Sequence, residues 1–254
     1  MIIILSPAKS LYDHSPIQFE KFTEPEFIQE AEKIVAVMKK KKPVQLAHLM
    51  DISPKLAALN FQRYQEWTST YTPENSWQSI FMFNGTVYQG MKAETFSAVN
   101  LETAQQKLRI LSGVYGLLKP LDRIQPYRLE MGTNISVSRK KNLYEFWKVK
   151  ITAKLNQELA QSDQKILVNL ASNEYFSVVD TKKLKARIIT PSFKEEKDGQ
   201  YRMVSIFVKR ARGLMSRFII MNNINDPEEI KAFDLEGYYF NNQLSKENNW
   251  VFTR

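Results

Sequence analysis

The sequence predicts an α/β (α+β) fold, a single compact domain over residues 1–254 with a mixed β-sheet flanked by helices. Three observations predict it. The runs Ile2–Leu5 and Ile166–Val168 are continuously apolar, the mark of strands buried on both faces. Helical spacing of apolar residues dominates the first two thirds, and a strand-rich final third follows. No linker-like stretch divides the 254 residues, a length that a substantial core can serve.

Taken in order, Ile2–Leu5 is the first strand. Phe27, Ile28, Ala31, Ile34, Val35 and Met38 recur at helical spacing and predict a helix over 25–38. Lys39 to Lys42 then read as a solvated helix end offsetting the macrodipole, with Pro43 as its stop. Ser53-Pro54 reads as an N-cap with proline at the first helical position, opening a helix through Leu56, Leu59 and Tyr64 to Trp67. Further helices are expected over Leu101–Leu111 and from Asn142 to Leu159. Strands are expected at Ile166–Leu170, Arg187–Thr190 and Arg202–Val208, the last two joined as a hairpin across Lys197-Asp198-Gly199, where Asp-Gly is a strong turn signal. Gly237–Phe240 and Trp250–Phe252 read as a final strand pair.

The net charge is +9, from 36 Lys+Arg against 27 Asp+Glu. Eleven of those cations and only three acids lie between Lys182 and Arg217, so one segment holds nearly the whole excess. Localised positive charge points to a polyanion, chiefly nucleic acid, or to a small anionic substrate. With no cysteine and only His14 and His48, there is no disulfide framework, thiolate zinc site or cysteine-ligated iron–sulfur cluster. No cofactor is expected, and only a carboxylate metal site stays open, because Glu94, Glu130 and Glu174 each sit in a loop-like context. The N-terminal apolar run is far too short for a membrane span and lacks the regions of a signal peptide. No membrane partner and a cytoplasmic location are expected.

Several constellations could carry chemistry. The stretch LSPAKS, residues 5–10, delivers Lys9 to the end of a sheet, where open α/β folds bind ligands. A second strand exit, VNLASNEYFS, presents Asn169, Ser172 and Asn173, and Asn169 inside an apolar run needs a buried partner. In QPYRLEMG, Arg128 and Glu130 lie two apart and either pair with each other or set Arg128 onto a phosphate. The segment 108–122, LRILSGVYGLLKPLD, suggests a helix-hairpin-helix-like turn over Ser112, Gly113, Val114, Tyr115, Gly116 and Lys119. A proline and a second glycine of that motif are replaced by Ser112 and Tyr115. Finally, VSIFVKRARGLMSRFII reads as a strand running into a helix that begins near Arg212. Lys209, Arg210, Arg212, Ser216 and Arg217 would there converge on one anion, with Gly213 allowing close approach.

Together SPAKS, KLAALNFQRYQEW, AETFS, LSGVYGLLKPLDRIQPYRLEMG, LYEFWK, VNLASNEYF and VKRARGLMSRFII resemble the YaaA family of bacterial peroxide-stress proteins, in order and over essentially the whole chain. The resemblance implies a cytoplasmic protein tied to hydrogen peroxide resistance and to limiting iron damage. It also implies a basic cleft, a helix-hairpin-helix element and binding to duplex or branched DNA without sequence specificity. Carried over by position, the cleft draws on Lys9, Arg128, Lys209, Arg210, Arg212 and Arg217. The alternative is an enzyme acting on a nucleotide or other phosphorylated small molecule, with Glu94, Glu130 or Glu174 as general base.

Overall fold

The computed structural model describes residues 1–15 and 19–254. From the N-terminus, β1 (Ile2–Leu5) and the short β2 (Ser10–Leu11) precede α1 (Ile28–Lys39), α2 (Pro43–Met50) and α3 (Pro54–Glu66). Next come β3 (Trp77–Gln78), α4 (Ser79–Met82), β4 (Phe83–Asn84), α5 (Thr86–Met91) and α6 (Ala98–Lys107). The middle of the chain forms β5 (Leu108–Ser112), β6 (Gly116–Leu118), β7 (Arg123–Ile124), α7 (Leu143–Leu159), β8 (Ile166–Leu170) and α8 (Asn173–Phe176). The final third holds β9 (Arg187–Lys197), β10 (Gln200–Arg202), α9 (Ser205–Met221), β11 (Tyr239–Phe240) and β12 (Asn249–Thr253).

The main sheet runs β11-β12-β9-β8-β1-β5-β6, with β10 added to β9. Strands β5, β1, β8, β9 and β12 are parallel, while β6, β10 and β11 are antiparallel to their neighbours. The sheet is therefore mixed and flanked by helices. Buried strands β1 and β8 keep every residue from solvent, as continuous apolar runs demand. Local signals placed several ends correctly. Ser53 Oγ accepts from Leu56 N, and Asn142 Oδ1 accepts from Glu145 N at the start of α7. Asp198 and Gly199 both have positive φ, which suits the two-residue turn between β9 and β10.

Four expectations are corrected. Pro43 does not end a helical region; it opens α2, where its missing N–H is an orphan donor position anyway. Helix α3 runs as expected from Pro54 to Glu66, with Ala57, Asn60 and Tyr64 as its buried stripe and Leu56 and Leu59 facing solvent. The helix expected over 101–111 stops at Lys107, and Leu108–Ser112 instead pairs in parallel with β1. Consequently Ser112 to Lys119 is no helix-hairpin-helix: β5 and β6 form an antiparallel β-hairpin. Ser112, Gly113, Val114, Tyr115 and Gly116 are all buried, with Ser112 Oγ bonded to the Tyr127 hydroxyl. A β-carbon on Gly113 would lie 2.3 Å from Leu129 O, so this glycine serves backbone packing. The short connection between two helices lies elsewhere, where Asp51 to Ser53 join α2 to α3.

The fourth correction concerns α9, which begins at Ser205 and not near Arg212; the strand expected over 202–208 ends at Arg202. Gly213 sits mid-helix, where a β-carbon would fall 1.8 Å from Val87 O on α5. Across the same contact a β-carbon on Gly90 would fall 2.3 Å from Arg210 O. The two glycines let α5 and α9 cross backbone to backbone. At the far end, Lys107 Nζ seats the helix by donating to Ile224 O at 2.5 Å and Asn225 Oδ1 at 2.8 Å.

Two predictions follow from this packing. Gly213→Ala should destabilise the protein by about 3 kcal/mol or more, because the clash is with backbone that cannot rotate away; urea unfolding checks it. Asp122 is buried, accepts from Thr23 Oγ1 at 2.5 Å and Lys119 N at 2.7 Å, and has its carboxyl pushed up by burial to about 6. Its folded value lies above the unfolded one, so its stability contribution is full below about pH 4 and is lost as pH rises through about 6. Relative to Asp122→Asn, the wild type should lose up to about 3 kcal/mol between pH 4 and 7.

Candidate functional site: the carboxyl end of the parallel strands

Because β1, β5, β8 and β9 are parallel, their exit loops gather at one end of the sheet. β1 lies between β5 and β8, so the chain leaves its central strand at the point where connections diverge, the usual crevice of such sheets. The loops are tied together there. Ser172 N donates to Ser6 Oγ at 2.8 Å, and Ser6 Oγ donates to Ser172 Oγ. On the α5 side, the Tyr88 hydroxyl donates to Ser6 O at 3.1 Å. The sequence reading missed Ser6, although its place directly after a buried strand and before proline was the available signal.

Lys9, Arg128 and Glu130 do come together. Glu130 Oε1 lies 3.0 Å from Arg128 Nη2 and 3.6 Å from Lys9 Nζ. Arg128 and Glu130 are largely buried, and Lys9 is exposed. Pro7, Ala8, Tyr127 and Tyr175 line a narrow gap around them, with room for about one water molecule. Two polar atoms here have no partner among the described residues: Arg128 Nε and Glu130 Oε2. Buried polar atoms ordinarily find partners, so this pair marks unused binding capacity beside the crevice. Burial also pushes the Tyr175 phenol well up, with Glu174 and Glu130 adding in the same direction.

Glu174 belongs to the same neighbourhood but is occupied, its Oε1 accepting from Gly132 N at 3.2 Å. Glu94 does not join it. That residue lies in a short 3-10 turn, lining a separate pocket with Tyr12, Phe81, Asn84 and Gln89. Asn169 solves its own burial, its Oδ1 accepting from Ala171 N. Asn173 is the first residue of α8, with Ser172 at the N-cap. Among the described residues, no three His, Asp or Glu side chains gather as metal ligands.

The cations of α9 do not converge on one volume. Arg210 is paired with Glu236, whose carboxyl is held down first by that contact. Arg217 donates to Met91 O, Lys92 O and Thr95 Oγ1, satisfying the carbonyl end of α5. Ser216 is buried and donates back to Arg212 O. Among the described residues, Lys209 is exposed without an ion-pair partner. Among them too, Arg212 is partly buried with no hydrogen bond or carboxylate, and burial alone lowers its pKa. Helix α5 stands between these cations and Lys9: its N-cap Gly85 touches Ala8, and its Gly90 touches Arg210.

Arg217→Ala should therefore act on stability, lowering it by about 1–2 kcal/mol through unsatisfied carbonyls. The same variant should keep any DNA affinity within about twofold once folded, since the guanidinium is spent on α5. Thermal melting and binding titrations separate the two effects.

No helix among the described residues is long and apolar enough to cross a membrane. A family model described as "Peroxide stress protein YaaA" matches residues 1–244. A UPF0246 protein of Neisseria meningitidis serogroup A is 52% identical over 254 residues, covering 100% of this chain and 98% of the relative. UPF0246 proteins of Cellvibrio japonicus and Aliivibrio fischeri are 49% and 50% identical over the same span, each covering 100% of this chain and 98% of the relative. With matched blocks running from the β1 exit to α9, the chain belongs to the peroxide stress protein YaaA family, also called UPF0246.

Proposed function

We propose that this protein of the peroxide stress response binds DNA through backbone phosphates, without reading sequence. One observation carries the reading. Among the described residues, Lys194, Lys197, Arg202, Lys209 and Arg212 between 194 and 212 have no ion-pair partner, against only Glu196 and Asp198 among the acids there. Glu195 is already paired with Arg254. Unneutralised charge is thus concentrated on the β9–β10 hairpin and the first half of α9. A half-buried guanidinium such as Arg212 lacks a counter-charge that a phosphate would supply. A second contact is offered where α1 gives way to α2, with Lys40 and Lys42 exposed there.

The test is a duplex-binding titration over a range of salt. Log affinity should fall with log salt at about −0.9 per neutralised phosphate. The Lys209→Ala/Arg212→Ala pair should weaken binding and reduce the slope by about 2. Salt-independent binding, or a double variant that binds as wild type, rejects this surface.

A second reading has its own support. Among the described residues Arg128 Nε has no partner beside the Ser6–Ser172 crevice, a free donor from which a phosphate oxygen could accept. The gap beside it has room for about one water molecule, so a phosphate group would sit at its mouth against Lys9 and Arg128, with no space inside for a whole nucleotide. Inorganic phosphate should raise the melting temperature of wild type and not of Arg128→Ala; no shift in either removes this reading.

A further inference from the structure

The feature left without a role is an apolar run at the root of α9. Met203 is 67% exposed, Ile206 57%, Phe207 39% and Val204 38%. Exposed apolar residues such as Val44, Val99 and Val149 stand singly elsewhere and need no explanation. Here four large side chains fall within five positions, and a contiguous apolar patch marks an interaction surface. The mount is firm: the β9–β10 hairpin lies behind it and the 17-residue α9 ahead. Arg254 holds Phe207 from one side, its guanidinium 5.0 Å from the ring centroid.

Charge indicates what covers the patch. Lys197 and Arg202 precede it and Lys209 follows, all exposed and, among the described residues, free of ion pairs. An anionic lipid surface would also attract these cations, but an interfacial helix needs a long apolar face. In α9 that face ends after one turn, because Ala211, Leu214 and Met215 are buried in the protein. A short apolar wedge between cations matches DNA whose bases are partly unstacked, with phosphates on either side.

We propose that Met203, Ile206 and Phe207 form a wedge that enters the base stack at a mismatched or flexible step, while Arg202 and Lys209 hold the flanking phosphates. The inference rests on the DNA-binding reading and adds what form of DNA is favoured and why. Val204 is the least exposed of the run and serves as the wedge's base.

The experiment uses the full chain and a duplex carrying 2-aminopurine beside a mismatch. Wild type should raise the fluorescence about threefold or more and prefer the mismatched duplex to its matched counterpart. Ile206→Ala/Phe207→Ala should lose most of that rise while keeping matched-duplex affinity within about threefold, since the phosphate contacts remain. Met203→Ser, which lies ahead of the helix, gives the same readout if the double variant fails to fold. Wild-type binding without a fluorescence rise overturns the wedge and leaves DNA binding standing. No duplex binding overturns both. Attachment to phosphatidylglycerol vesicles, lost in the double variant, together with an unchanged fluorescence, reassigns the patch and also overturns the proposal.

Discussion

Gly90 on α5 and Gly213 on α9 face each other's backbones so closely that a methyl group at either would reach a carbonyl oxygen of the other helix. That contact fixes much else. Helix α5 is held on its other flank by Ala8 and by the bond from Tyr88 to Ser6, so the β1 exit loop and α9 are registered through it. Arg217 adds a polar lock at the end of α5, and Lys107 seats the far end of α9. The geometry also leaves the start of α9 at the carboxyl end of the sheet, beside the β9–β10 hairpin. Its apolar and basic side chains project there because the helix is pinned further along.

The division of labour among the cations is the functional consequence. Arg210 and Arg217 are structural, joined to Glu236 and to the carbonyls of α5. Lys209 and Arg212 are not spent on the fold, and neither are the lysines of β9. A surface of this kind attracts phosphates at long range and holds them without selecting a base. The Ser6–Lys9–Arg128–Glu130 crevice lies across α5 from it and is more enclosed. Its polar atoms sit among tyrosines whose phenols burial keeps neutral, Tyr127 and Tyr175. The two surfaces thus differ in kind, one open and cationic, the other small and mixed in charge.

How much of this was legible depended on whether a local signal decided the structure. Strands β1 and β8, the Ser53 and Asn142 caps and the Asp198-Gly199 turn were readable, because each follows from nearby residues. The helix over 101–111 was misread because Leu-Arg-Ile-Leu continues an apolar pattern that suits either state; pairing with β1 decides it. The start of α9 was misread for a related reason. Val204, Ile206 and Val208 alternate like a buried strand, yet Ile206 is exposed in a helix. Gly213 gave the right alarm and the wrong cause, since the sequence shows a need for close approach but not what approaches. Lys9, Arg128 and Glu130 were found individually, while their meeting with Ser6 and Ser172 is a product of the parallel topology.

In the DNA-binding reading proposed above, the β9–β10 hairpin and the first turns of α9 face DNA, and the buried 112–119 hairpin does not. Hydrogen–deuterium exchange with and without a duplex tests this directly. Slowed exchange is expected over residues 197–209 on binding, with 108–118 protected equally in both states. Unchanged exchange over 197–209 in a DNA-saturated sample would contradict it.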